Sequence, residues 1–397
     1  MHDSFVSFAM ISKNESLLKT EALFVCERNR GIASFTEHFY EVCVNIIKKQ
    51  GQSLIHALSS LEYTMLFTNI MERRYIAEVW AYGDYGYLDK HQCLVGEFDV
   101  TFLFVFFDEL WNKLLSARKM YVGKVSAKEI TGFMLKAIPD FYSYFVKIVR
   151  SAIKDCTDDK MFIDIVKNEV FRVTVGDYMK RTAAVFILHK NIDMEAIGEC
   201  TTQEYAFRDY SYIDLSGYDF NNTDFQFSKC CGSILNYTVF NDSILHGVSF
   251  TKAQMNNCQM GKCVIFEADF SYAKLNGASL VNTLGYSGLP EENEWSQAGF
   301  LPVMFYKADL TDANLQWANL SGADFKNANL TRVDFKFANL VGADFRCANL
   351  TNANFVFADL TCADFTGAIL ENTVFICATT DDAIFTEEHY FISANKG

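Results

Sequence analysis

The chain has 397 residues, half of them hydrophobic, with 37 Phe and only 3 Pro, enough for two domains with cores of their own. The longest apolar run, Val100–Phe107, is interrupted by Thr101 and closed by Asp108–Glu109, far short of a membrane-spanning helix. The net charge of −14 is lopsided: residues 1–200 carry 26 acidic against 24 basic side chains, residues 201–397 carry 23 against 11.

The opening MHDSFVSFAMISKNES has neither a basic start nor a long apolar core, so no cleavable secretion signal is expected and the chain reads as cytoplasmic. Phe35–Lys49 places Phe39, Val42, Ile46 and Ile47 on one helical face. The aromatic cluster Trp80, Tyr82, Tyr85 and Tyr87, with Gly83 and Gly86, reads as a flexible loop. Thr101–Met120 and Ser126–Ser151 are helix-compatible; Ser126 with Glu129 three residues later forms a capping box. Pro139 should break that second stretch and begin a new helix with Asp140 in its first turn. Phe171–Val175 suits a short strand. These elements predict a mainly α-helical globular domain over residues 1–200, in which no family is recognised.

Six residues invite a search for chemistry in this half: Cys26, His38, Cys43, His56, His91 and Cys93. His38 and Cys43 stand roughly one helical turn apart, but Cys43 has apolar neighbours, where an inert buried thiol is the commoner outcome. No second ligand pair stands at metal spacing, and no phosphate-binding, zinc-protease or nucleophile-elbow motif is present. No catalytic residue, metal or cofactor is therefore assigned.

Residues 111–154 hold nine basic side chains, Lys113, Arg118, Lys119, Lys124, Lys128, Lys136, Lys147, Arg150 and Lys154, against Glu129 and Asp140. Tyr121, Phe133, Phe141, Tyr142, Tyr144 and Phe145 are interleaved. The plain account is a solvated helix face with the aromatics in the core. The functional account is a surface for anionic lipid headgroups or for the acidic half of the chain; nucleic acid is not expected.

From Leu310 to Leu370 every fifth residue is Leu or Phe, and Ala or Val333 stands two places before each. The residue between is Asp or Asn throughout, apart from Ile369. Neither helix nor ordinary strand has this period; it suits a chain that turns a corner in every unit. Four units would make a coil of twenty residues, stacked about 4.8 Å apart as strands are. The sequence sorts at that offset: Phe305, Phe325, Phe345, Phe365 and Phe385 form one column, and Leu310, Leu330, Leu350 and Leu370 another. The register continues upstream in looser form from Leu215 to Leu280, with Cys258 and Cys263 at the small inward position and Cys230 at the central one. It breaks at Leu284–Gln297 and resumes in the same frame, which predicts a bulging loop.

The run ADLTDANLQWANLSGADFKNANL resembles the A(D/N)LXX consensus of pentapeptide-repeat proteins. That resemblance covers about residues 210–386 and implies a right-handed quadrilateral β-helix over 205–386, with 387–397 as a tail or cap. Some acidic members imitate duplex DNA and bind DNA gyrase, which requires a continuous negative surface. Here Asp324, Asp344 and Asp364 form one acidic column, but Lys326 and Arg346 stand two residues from its first two members. Over 301–370 the count is seven acidic against five basic.

The layout, a helical domain followed by repeats, is similar to bacterial effectors that enter host cells without a signal peptide. The expected function is a protein-binding scaffold with a protein partner of unknown identity. Its candidate surface is Asp324, Asp344 and Asp364 together with Glu291, Glu292, Glu294 and Trp295 of the loop. An enzyme in the N-terminal domain and a topoisomerase-binding DNA mimic are the alternatives.

Overall fold

The computed structural model describes residues 2–83, 92–121, 124–157, 159–177, 181–189, 205–287 and 301–386. These form two compact units, one ending at His189 and one beginning at Tyr205.

The first unit opens with a single long helix, α1 (His2–Gly51), which contains the face read at Phe35–Lys49. Then follow β1 (Leu58–Met65), α2 (Phe67–Met71), β2 (Ile76–Tyr82), β3 (Cys93–Asp99), α3 (Val105–Ala117), α4 (Ala127–Cys156), α5 (Lys160–Asp164), β4 (Lys167–Asp177) and β5 (Arg181–His189). The strands make one sheet in the order β3-β2-β1-β4-β5, antiparallel except for the β1–β4 pair. The helices are present as the periodicity indicated, and a five-stranded sheet accompanies them. Phe171–Val175 lies within β4, but the other strands were not anticipated.

The sheet has an apolar face in which Leu61, Tyr63 and Met65 pair with Ala81, Val79 and Ala77. The aromatics of α1 and α4 cover it: Phe35 meets Tyr63, Phe98 and Phe145, and Phe98 stacks on Phe145 at 5.5 Å. At β3 the fit is close enough to require glycine. A Cβ on Gly96 would come within 2.9 Å of Val42 Cγ2 and 3.2 Å of His38 Cε1.

Helix α4 begins at the capping box, with the Ser126 side chain accepting from Glu129 N and the Glu129 side chain from Ser126 N. It then runs through Pro139 without ending. The expected break fails because packing holds the helix on both sides of the proline: Ala137, Ile138, Phe141 and Tyr142 are all buried. The lost amide is a penalty of about 3 kcal/mol or more, which that burial offsets.

The second unit is a β-solenoid. Each five-residue unit makes a β-turn and one bridge, and bridges join residues twenty apart, such as Asp324 to Asp344 and Asn329 to Asn349. The turn after Leu310 is typical: Ala313 N donates to Leu310 O at 2.9 Å, and Asp312 takes φ 61°. The units from Phe207 to Asn282 and from Lys307 to Asp382 all place their second turn residue in this left-handed region. That explains why Gly217, Gly232, Gly247, Gly277, Gly322, Gly342 and Gly367 all share one place in the repeat.

The predicted columns stand in the core. Phe305–Phe325, Phe325–Phe345 and Phe345–Phe365 stack at 4.8–5.0 Å with nearly parallel rings. In the looser upstream coils, buried hydroxyls replace Ala and donate across to the preceding coil: Ser228 to Tyr205 O, Thr238 to Leu215 O and Ser243 to Phe220 O. Cys230, Cys258 and Cys263 are buried and free in the same core.

Stacking continues across the predicted loop. Asp269 bridges Met304, and Phe270 stacks on Phe305 at 5.0 Å. The first four loop residues still belong to the coil, since Leu284 bridges Asn319 and Ser287 N donates to Ser321 O. Ala298–Phe300 lie outside the described residues.

Candidate functional site

The acidic column is real, but its charges are engaged. Each aspartate first serves its own turn: Asp324, Asp344 and Asp364 accept from the backbone N–H two residues on, at 2.9, 3.2 and 2.9 Å. That role explains why Asp and Asn recur at the same place in the repeat. The second oxygens meet cations: Lys326 Nζ lies 2.8 Å from Asp324 and 3.7 Å from Asp344. Arg346 lies 2.7 Å from Asp344 and 3.6 Å from Asp364. Burial raises the Asp344 carboxyl, but the hydrogen bonds and charge of Arg346 outweigh it and hold the group below its usual range. The result is an alternating ladder with little net negative field. Glu291, Glu292, Glu294 and Trp295 lie outside the described residues.

Three side chains missed in the sequence reading form a clearer surface feature. Trp317, Phe337 and Phe357 occupy the left-handed turn position in successive coils, with φ of 61°, 59° and 59°. Trp317 and Phe337 stack at 4.2 Å and Phe337 and Phe357 at 5.2 Å, with rings within 7° of parallel. They are 55%, 38% and 53% exposed, and Ile376 beside the next turn is 65% exposed. Such side chains strain a left-handed residue, and mutual stacking favours them there. The signal was present, since the three aromatics recur every twenty residues. The inward columns and the acidic column are read at that spacing above; this column at the turn position is not.

In the first unit the basic run divides. Lys147 lies over the Tyr144 ring, and Arg150 donates to Ala184 O. Lys113 pairs with Glu15 at 2.7 Å. Arg118, Lys119, Lys124 and Lys128 are exposed around the turn that joins α3 to α4. Phe141, Tyr142, Tyr144 and Phe145 are core residues rather than a surface set.

His38 and Cys43 do not form a catalytic pair. The His38 ring packs on Phe35, Tyr63 and Phe98, and burial lowers its pKa to about 4. Burial pushes the Cys43 thiol up to about 12, with the nearby Cys156 adding to it, so neither group is poised for nucleophilic work at neutral pH. Cys93, at the start of β3, accepts from Lys49 Nζ at 2.8 Å. Trp80 and Tyr82 belong to β2 rather than a loop, and Tyr85, Gly86, Tyr87 and His91 lie outside the described residues. Among the described residues, no group of His, Cys, Asp or Glu could hold a metal ion.

The model of the pentapeptide-repeat family matches in eight copies, over residues 223–261, 308–346 and 339–376. Among solved structures the chain is similar to HetL, a pentapeptide-repeat protein involved in heterocyst differentiation regulation from the cyanobacterium Nostoc. Identity is 23%, over 45% of this chain and 92% of that one, with a TM-score of 0.23. Full-length QnrB1, a plasmid-mediated fluoroquinolone resistance protein, matches at 13% identity over 47% and 98%, with a TM-score of 0.20. Rfr23, a pentapeptide-repeat protein of the cyanobacterium Cyanothece, matches at 27% over 28% and 90%, with a TM-score of 0.13. No curated protein matches.

Proposed function

We propose that this chain, whose C-terminal half is a stack of pentapeptide repeats, is a scaffold that binds another protein through the outer surface of its solenoid. In this reading the coil is right-handed and four-sided, with docking concentrated on one corner. The observation that carries it is the exposed stack Trp317–Phe337–Phe357, a continuous strip of nearly parallel rings across three successive coils. Large aromatics supply most of the energy in protein interfaces, and exposed apolar strips mark such sites. These rings are already ordered by stacking, so docking on them removes little further side-chain freedom. The Asp324–Asp344–Asp364 column contributes less, because Lys326 and Arg346 offset most of its charge; the same pairing weighs against DNA mimicry. In its fuller form the partner is a host-cell protein and the chain an effector.

The test uses the full-length chain as bait in a host-cell lysate, beside a Trp317→Lys/Phe357→Lys variant whose circular dichroism is unchanged. A partner held by the parent chain should lose at least about tenfold in affinity, the scale of a central hot spot. Equal retention of every captured protein by the double variant would rule out this docking surface.

A further inference from the structure

We propose a second, separate binding site: the turn between α3 and α4 docks the N-terminal unit on an anionic membrane surface. Met120 is 74% exposed, inside the helical turn Arg118–Tyr121. Arg118, Lys119, Lys124 and Lys128, all exposed, surround it in sequence.

Among the described residues, the acids on the neighbouring elements are engaged elsewhere. Glu15 holds Lys113, Asp140 holds Lys13, Glu109 lies 3.6 Å from Lys19, and Asp108 holds Arg73. Glu129 caps α4 through Ser126. Among the described residues, no acidic side chain pairs with Arg118, Lys119 or Lys128, so their charge is available to a partner. The start of α1 is fixed at the same place, with Phe5 5.3 Å from the Tyr121 ring and Lys113 over Phe8. It adds Val6 and Met10, one helical turn apart and 44% and 48% exposed.

A basic cluster in which Arg118, Lys119 and Lys128 meet no acidic side chain among the described residues, set beside the exposed Met120, matches the chemistry of a lipid interface. Headgroup phosphates and carboxylates meet the cations, and the thioether chains enter the boundary below. A polyanion such as nucleic acid would use the charges and leave Met120 idle. No helix among the described residues is long and apolar enough to cross a membrane, so the contact would be peripheral.

The experiment is co-sedimentation of the full-length chain with phosphatidylcholine vesicles, with and without phosphatidylserine. Binding should require phosphatidylserine and weaken as salt rises. Each basic side chain near such a surface is worth about fivefold, so Arg118→Glu/Lys119→Glu should weaken binding at least tenfold. Met120→Ser should weaken it several-fold with the salt dependence unchanged, and Lys262→Glu on the solenoid should have no effect. No sedimentation, equal sedimentation with neutral vesicles, or full binding by the charge-reversed variant would each overturn the proposal. So would binding indifferent to Met120→Ser, which would mark a surface for polyanions in general. Circular dichroism of each variant separates loss of binding from loss of fold.

Discussion

Phe345 and Phe145 are both fully buried, yet they are held in different ways. Phe345 lies between Phe325 and Phe365 at 5.0 and 4.9 Å, and its neighbours above and below are copies of itself. Phe145 meets Phe35 from α1, Tyr63 from β1 and Phe98 from β3, three elements far apart in the chain. A position in the solenoid is therefore described by its place in the repeat. A position in the α/β unit is described only by the particular residues that converge on it.

That contrast predicts how each unit responds to damage. The largest effect should come from Phe345→Ala, which removes a ring from the middle of a column that cannot collapse without shifting coils. A loss of about 3–5 kcal/mol is expected from urea unfolding of the solenoid, with Phe325→Ala and Phe365→Ala giving the same within error. Unequal losses among the three would break the idea of interchangeable layers.

A smaller effect is expected where the α/β unit is tight. Gly96→Ala should cost about 1–3 kcal/mol, because the added methyl meets Val42 and His38 and neither has an equivalent to share the shift. The matching test in the solenoid is Gly342→Ala. There nothing lies within 4 Å, and only the left-handed backbone, at φ 65°, resists the change. About 1–2 kcal/mol is expected from the backbone alone. Gly247→Ala should cost more than Gly342→Ala, since its methyl would come within 2.4 Å of Phe227 Cδ1.

The smallest effect is a pH dependence confined to the α/β unit. Burial raises the Glu21 carboxyl to about 7, and its Oε2 has no hydrogen-bond partner among the described residues. The folded form thus keeps a proton that the unfolded chain releases near 4.5, and stability falls as pH rises from about 4.5 to 7. His38 acts in the opposite sense. Its folded pKa near 4 lies below 6.5, so stability is full above 6.5 and is lost as pH falls toward 4. The two oppose each other between about pH 4.5 and 6.5, so in thermal melts Glu21→Gln should leave stability rising from about pH 4 to 6.5, and His38→Leu should leave it falling from about 4.5 to 7. An unchanged profile in both variants would count against these assignments.

The sequence by itself determined the solenoid. A local five-residue rule repeated many times leaves each residue's environment to its own copies, so the inward columns, the twenty-residue offset and the free core thiols were legible in advance. It also determined the start of α4, because the Ser126–Glu129 capping box is a contact between near neighbours. Only the tertiary structure decided the rest. The sheet order joins β1 to β4 across a hundred residues, and α4 passes through Pro139 because its flanks are buried against distant elements. Lys326 and Arg346 were visible beside the acidic column, but that each bridges two aspartates of adjacent coils was not. Which charges around the α3–α4 turn stay unpaired likewise depends on packing: among the described residues Arg118, Lys119 and Lys128 meet no acidic side chain. Short-range periodicity carries no information on that point, because exposure is set by what the rest of the chain covers.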